Sequence, residues 1–250
     1  MTRSAFITGG TSGIGLEFAT RYVNAGWKVA VCSFESAAQV EGKIPAGVTY
    51  FSVDVTDAAK MADSIRTFAA QAGSLDLVIA NAGINHPKAK IPDFVHGNKV
   101  INVNVNGVLN TFGPAIEIMV KQKSGQLVAL SSIAGTIGGL PGMSIYCASK
   151  AAVLSLCDSL EVDLAQYGIK VTTLAPGFID TPLTRGNDHP MPFRMTIDQA
   201  VTQMMKYIER GSGRFLFPLP MKIISTFLSL IPKSLAKTLL KSDAMKTGKH

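Results

Sequence analysis

The sequence predicts an α/β fold: one domain built on a mostly parallel, seven-stranded sheet, doubly wound so that helices cover both faces. Three observations predict it. Short apolar runs alternate with helical patterns from end to end, and strands joined by helical crossovers run parallel. The runs are often β-branched and continuous, as in strands covered on both sides. The first of them leads directly into a glycine-rich turn and then into an amphipathic segment.

Strands are expected over residues 4–8, 28–33, 49–53, 75–80, 126–130, 170–174 and 214–217, and helices over 14–25, 58–72, 95–121, 144–167 and 196–209. The first strand, through Phe6-Ile7-Thr8, enters the turn Gly9 to Gly15, and Leu16, Ala19, Tyr22 and Val23 give the helical stripe that follows. Glycines let backbone approach a pyrophosphate, and the free N–H groups and positive dipole end of a new helix hold such an anion. The second strand ends at Val31-Cys32-Ser33, the third before Asp54-Val55 and the fourth before Asn81-Ala82-Gly83. Read alone, Asp54 is a helix N-cap and Asn81-Ala82-Gly83 a turn at a strand end. Ser132 ends the fifth strand, with Ser131 beside it.

The long helix 144–167 carries Tyr146 and Lys150, four residues apart. That spacing puts a phenol and an ammonium on one helical face, about one turn apart. Free tyrosine, with a pKa of about 10, is a poor base near neutrality, and a neighbouring ammonium favours the phenolate. The sixth strand is followed by residues 176–192, rich in Pro, Gly, Asn and Asp. Ligands bind at the carboxyl edge of such sheets, so this stretch is expected to cover substrate, within a loop 176–195. Residues 221–241 are apolar with lysines, and Pro232 is expected to break them into two short helices. Packing on the domain or on another subunit is the expected use, ahead of contact with a membrane surface.

Bulk composition narrows the class. The 250 residues, 47% apolar and only 16% charged, suit one globular domain with a subunit interface. The division expected is a catalytic domain over 1–220 and a basic, apolar tail over 221–250. The net charge of +7 is uneven, because residues 221–250 hold six lysines against one aspartate. No basic patch interleaved with aromatics marks the rest, so nucleic acid is not an expected partner. Cys32, Cys147 and Cys157 lie inside apolar patterns without CxxC spacing, which indicates buried thiols and a cytoplasmic location. His86, His96, His189 and His250 lack ligand spacing, so no catalytic metal is expected. The opening residues run as one strand into the glycine turn, leaving no room for a secretion signal, and no apolar run reaches the roughly 18 residues of a membrane span.

Taken in order, Thr8-Gly9-Gly10-Thr11-Ser12-Gly13-Ile14-Gly15, Asp54-Val55, Asn81-Ala82-Gly83, Asn104, Ser131-Ser132, Tyr146-x3-Lys150, and Pro176-Gly177 with Thr181-Pro182 resemble the short-chain dehydrogenase/reductase family in its classical form. The resemblance implies a Rossmann-type nucleotide site and hydride transfer between a nicotinamide and a ketone, aldehyde or secondary alcohol. Gly9, Ser12, Gly13, Ile14 and Gly15 would line the pyrophosphate. Asp54 and Val55 would contact adenine, and Asn81, Ala82 and Gly83 would flank the adenosine ribose. Thr181, after Pro176 and Gly177, would reach the nicotinamide. Asn104, Ser132, Tyr146 and Lys150 would form the catalytic set, with Tyr146 as acid or base, Ser132 on the substrate oxygen, and Asn104 supporting a water relay to Lys150. Ser131 stays an alternative to Ser132, since Ser132 to Tyr146 is 14 residues, one more than in many relatives; Asn102 and Asn106 stay alternatives to Asn104.

At the end of the second strand, an acidic residue would bind the ribose 2′-hydroxyl and repel a 2′-phosphate. Ser33 stands there, followed by Phe34 and Glu35, so NADP(H) is favoured over NAD(H). Phe178, Ile179, Leu183, Met191, Phe193 and Met195 suggest an apolar carbonyl substrate. The family commonly forms dimers or tetramers, which makes a homodimer or homotetramer the expected assembly. The competing reading is a non-catalytic nucleotide-sensing or membrane-surface protein of the same fold.

Overall fold

Side-chain alternation along the first strand divides the molecule into two cores. In the computed structural model, strand β1 (Ser4–Thr8) sends Phe6 to one face and Ala5 and Ile7 to the other, all three fully buried. Residues 2–85, 93–137, 140–184 and 191–232, with 234, 235 and 238, are described. The remaining strands are β2 (Lys28–Ser33), β3 (Val48–Ser52), β4 (Leu77–Ala80), β5 (Gly125–Leu130), β6 (Ile169–Pro176) and β7 (Gly213–Phe217). They pair in the order β3-β2-β1-β4-β5-β6-β7, and every ladder is parallel.

Helices α3 (Ala58–Ala72), α5 (Gly107–Gln122) and α6 (Ser144–Ala165) cover the Phe6 face, burying Met61, Ile65, Phe68, Phe112, Met119, Val153 and Cys157. Helices α1 (Gly13–Asn24) and α7 (Ile197–Arg210) cover the other, burying Phe18, Tyr22, Val201, Met204 and Ile208. The chain winds outward from β1 through β2 to β3, then returns to β4 on the opposite side of β1. This reversal opens a crevice beyond the carboxyl ends of β1 and β4.

Several local expectations change. The helix expected over 95–121 is three pieces: α4 (Phe94–Ile101), a π turn (Asn102–Asn106) and α5. A four-residue helix, α2 (Ala37–Val40), follows β2 and had no periodicity to reveal it. Strand β4 begins at Leu77; just before it the Asp76 carboxylate accepts from Ser4 N and from the hydroxyls of Ser4 and Ser74, and the Asp76 carbonyl accepts from Gln126 N on β5. Near the carboxyl end, α8 (Leu219–Leu230) stops before Pro232, whose ring pushes Ile231 into extended backbone (φ −77°, ψ 155°). Leu239 and Leu240, in the second helix expected after Pro232, lie outside the described residues. All three cysteines are buried and free of disulfides. Among the described residues, no helix is long and apolar enough to cross a membrane, and no cluster of metal-ligating side chains occurs.

Candidate active site

The glycine turn is shaped by close backbone contacts. Gly9 takes φ +64°, a left-handed conformation that suits glycine, and its N–H donates to the carbonyl of Cys32 at 2.8 Å. A Cβ on Gly15 would lie 2.2 Å from the Gly9 carbonyl oxygen and 2.6 Å from Asn81 Nδ2. The turn is therefore closed by the absence of side chains. Ser12 is the N-cap of α1, yet its hydroxyl makes no capping bond. The first N–H groups of α1 face the crevice without a carboxylate in the first turn, a donor set that fits an anion such as a pyrophosphate. A Cβ on Gly13 would be 3.6 Å from Pro182 Cδ and 4.0 Å from Thr181 Cβ. The loop that follows β6 thus reaches the turn, with Thr181 buried beside it.

Asn81 braces the turn through its side-chain amide. Its Nδ2 donates to the carbonyls of Thr8 (2.9 Å) and Gly9 (3.1 Å), while Thr8 Oγ1 accepts from the N–H groups of Asn81 and Ala82, both at 3.0 Å. Asn81 joins the ends of β1 and β4 across the crevice. Asp54 is not the N-cap of α3, which is Asp57. Its Oδ1 instead accepts from the N–H and hydroxyl of Thr56, closing a local turn. Val55 turns its side chain inward against Gly107 and its carbonyl accepts from Asn110, so its side chain belongs to the core.

At the end of β2 the hydroxyl of Ser33 is buried and shared with Glu35 Oε2 (3.2 Å) and Tyr50 (2.9 Å). Both partners of this hydroxyl are therefore within the protein. Glu35 turns back toward the glycine turn, where Thr11 donates to its Oε2 at 2.6 Å. The Thr11 hydrogen bond, with those from Ser33 and the charge of Lys43, holds its carboxyl below the usual range against a desolvation effect in the other direction. The exposed ring of Phe34 stands beside it.

The catalytic candidates converge at the carboxyl ends of β4 and β5. Lys150 is buried, donates from Nζ to the carbonyl of Leu130 at 2.9 Å, and lies 5.8 Å from the ring centre of Tyr146. Burial lowers its pKa to about 8. The Tyr146 phenol is half-buried. Desolvation raises its pKa to about 12, against a hydrogen bond with the Ser132 hydroxyl that lowers it. In the protein alone, burial thus favours the neutral phenol, whereas the phenolate is expected to be favoured by the ammonium together with an oxidised nicotinamide. Ser132 is the N-cap of a 3-10 turn (Ile133–Gly135), its Oγ accepting from Ala134 N at 3.1 Å and donating to the Pro176 carbonyl at 3.5 Å. Ser131 instead donates to the backbone carbonyl of Lys150 at 2.8 Å.

Asn104 is the buried asparagine of the π turn, whereas Asn102 and Asn106 bond to each other at the surface. Its Oδ1 accepts from Ile84 N (2.8 Å), and its Nδ2 donates to the Ile84 carbonyl and to Ser149 Oγ (both 3.0 Å). Widening one turn to i→i+5 lets this residue face inward. Ser149 donates in turn to the Tyr146 carbonyl at 2.7 Å. Gly83 lies over the group: a Cβ there would be 3.3 Å from Asn104 Oδ1 and 3.5 Å from Lys150 Nζ. Thr8, Thr11 and Ser149 were given no role by sequence reasoning. Each sits inside or beside a motif already singled out, which was the available signal.

The comparisons agree with this architecture. A family model for short chain dehydrogenase matches residues 3–191. An uncharacterized oxidoreductase of Myxococcus xanthus is 37% identical over 240 residues, covering 93% of this chain and 94% of its own. The 3-oxoacyl-[acyl-carrier-protein] reductase of Staphylococcus aureus is 38% identical over 194 residues, with 74% and 77% covered. Among solved structures, ElxO with NADP bound superposes with a TM-score of 0.75 at 27% identity, covering 83% of this chain and 91% of that one. A short chain dehydrogenase of Burkholderia cenocepacia, in complex with NADP, reaches 0.82 over 96% and 98% at 23% identity, a likeness of fold. A crevice at the strand-order reversal, a glycine turn beneath a helix N-terminus, and a serine, tyrosine and lysine meeting at its floor have one consistent reading with these relatives: the chain belongs to the short-chain dehydrogenase/reductase family of oxidoreductases.

Proposed function

We propose that this enzyme reduces an apolar ketone or aldehyde, or oxidises the matching secondary alcohol, with NADP(H) favoured and NAD(H) accommodated. The single observation that carries the reading is the shared position of Ser132, Tyr146 and Lys150: a phenol hydrogen-bonded to a serine hydroxyl with a buried ammonium beside its ring. The uncapped start of α1, Gly9, Ser12, Gly13, Ile14 and Gly15 would hold the cofactor's phosphates, and Ala82, Gly83, Asp54, Pro176, Gly177 and Thr181 would line its path toward Tyr146. The NADP of ElxO supports the cofactor class. When bound, the cofactor supplies a hydride to the carbonyl carbon.

The chain's own residues handle the oxygen and the proton. Ser132 donates a hydrogen bond to the carbonyl oxygen and stabilises the negative charge that develops there. Tyr146, a neutral phenol, donates its proton to that oxygen. Lys150, with a pKa near 8, exchanges protons readily close to neutral pH and restores the phenol. Asn104 fixes the floor of the site by binding Ile84 on one side and Ser149 on the other. In the oxidising direction Tyr146 accepts the alcohol proton.

The acyl ketone named for the S. aureus relative makes 3-oxoacyl compounds the first substrates to try. Exposed Leu109 on α5 and Val162 on α6 support a homodimer or homotetramer through those helices. The three free thiols support a cytoplasmic location. The test is Tyr146→Phe, assayed as NADPH oxidation with a panel of acyl, aromatic and aliphatic ketones. Turnover should fall by about 10²–10⁴-fold, the share of a positioned acid. Turnover within a factor of about two of wild type would overturn the assignment.

A further inference from the structure

Helix α8 presents an apolar row to solvent. Leu219, Ile223, Phe227 and Leu230 are 66%, 60%, 57% and 80% exposed. Their spacing of four, four and three residues puts them on one face. The opposite face is held down: Met221 meets Gly177, Ser225 is fully buried, and Leu228 is half-buried. The helix therefore lies flat on the protein with its apolar row outward. Large apolar side chains in a row at this exposure mark a contact surface.

Charge decides what covers it. Residues 219–232 contain Lys222 and no acidic residue, and the sequence 221–250 carries six lysines against one aspartate. A two-fold contact between copies sets one patch against itself, which here opposes two strongly basic segments. An anionic lipid surface complements both features: the row enters the headgroup region, Lys222 meets the lipid phosphates, and the positive charge of the sequence beyond it favours an anionic surface. α8 spans 12 residues, enough to lie on a bilayer but too short to cross one.

We propose that α8 is a docking helix for an anionic membrane surface. It also orients the enzyme. Pro176 pairs with Phe217 in the sheet, so the loop after β6 and α8 after β7 leave the same carboxyl edge. That loop exposes Leu183 and Phe193, the latter in left-handed backbone at φ +58°. Docking brings this edge, and the crevice that opens on it, toward the lipid.

The test uses the full chain and co-sedimentation with phosphatidylcholine vesicles, plain or with about a third phosphatidylglycerol. Binding is expected only with the anionic vesicles, and should fall at least about tenfold when salt rises from ~0.05 M to ~0.5 M. Ile223→Glu with Phe227→Glu should lower binding at least about tenfold by removing buried apolar area. Leu230→Glu alone should lower it severalfold. Circular dichroism and turnover of a water-soluble ketone should match wild type for both variants, so a failed reductase assignment leaves the vesicle readout intact. Failure to sediment with anionic vesicles at low salt overturns the proposal. So does unchanged sedimentation of the variants, or a wild-type oligomer that light scattering shows dissociating when the row is substituted.

Discussion

Replacing Lys150 by Met should stabilise the protein while abolishing its proposed chemistry, and the stabilisation should depend on pH. Burial lowers the lysine from 10.5 to about 8. With each pKa unit worth about 1.4 kcal/mol, holding the ammonium in place costs about 3 kcal/mol near neutral pH relative to the unfolded chain. Methionine has nearly the same length and carries no charge. It also gives up the bond from Nζ to the Leu130 carbonyl, which costs about 1–2 kcal/mol. The net expectation is a gain of about 1–2 kcal/mol, or ~3–6 °C in Tm for a chain of this size. The sign with pH follows from proton counts. Between about pH 8 and 10.5 the unfolded lysine binds more protons than the folded one, so wild-type stability rises through that window. The Met variant lacks this titration. Its advantage should shrink by about 2 kcal/mol between about pH 7 and 9.5. Thermal and urea melts of both proteins at equal concentration, at those two pH values, measure it directly. A difference that stays constant with pH would refute the claim that the buried ammonium is held at a penalty.

Two further outcomes follow from the nucleotide crevice. Gly15→Ala places a methyl 2.2 Å from the Gly9 carbonyl, so the turn must open; the cost should be about 1–3 kcal/mol in stability, with NADPH affinity down at least about tenfold by fluorescence titration, and unchanged affinity would dismiss the turn as the phosphate cradle. Glu35→Gln keeps the Thr11 contact but removes a negative charge from the edge of β2, where a like-charge contact in water-like surroundings is worth about 1 kcal/mol; the KM for NADPH should drop by about fivefold with that for NADH unchanged or higher, and equal effects on both would place Glu35 away from the ribose.

Much of this was legible in the sequence because backbone geometry and local chemistry coincide there. The glycines of the turn are dictated by sterics that a motif records, and Tyr146 and Lys150 share a face simply through helical spacing. What escaped was set by tertiary partners. The helix expected over 95–121 has unbroken apolar periodicity, but Asn104 needs both Ile84 and Ser149, which lie on other elements, and a π turn supplies that orientation. Ser33 was read for the acidic residue it replaces; the bonds of its hydroxyl to Tyr50 and Glu35 depend on the fold. No spacing rule brings Glu35 back onto Thr11. For the apolar residues of 221–241, periodicity alone cannot say which face of a helix a domain leaves uncovered.

The polar groups at the floor of the crevice form one connected structure. Thr8 and Asn81 lock the glycine turn to the end of β4; three residues on, Ile84 is clasped by Asn104, which reaches Ser149 and, through it, the backbone of Tyr146. From the other side, Ser131 holds the backbone of Lys150 and β5 holds its ammonium. Each of these groups is buried or half-buried, where an unmet donor or acceptor is expensive. The bonds therefore leave few alternative positions for the phenol relative to the turn. A short-range acid needs that constraint, because proton transfer demands hydrogen-bond distance to an oxygen whose place is fixed by whatever the turn holds. The π turn is thus the element that ties the end of β4 to α6, and it would couple the proposed cofactor site to the proposed acid.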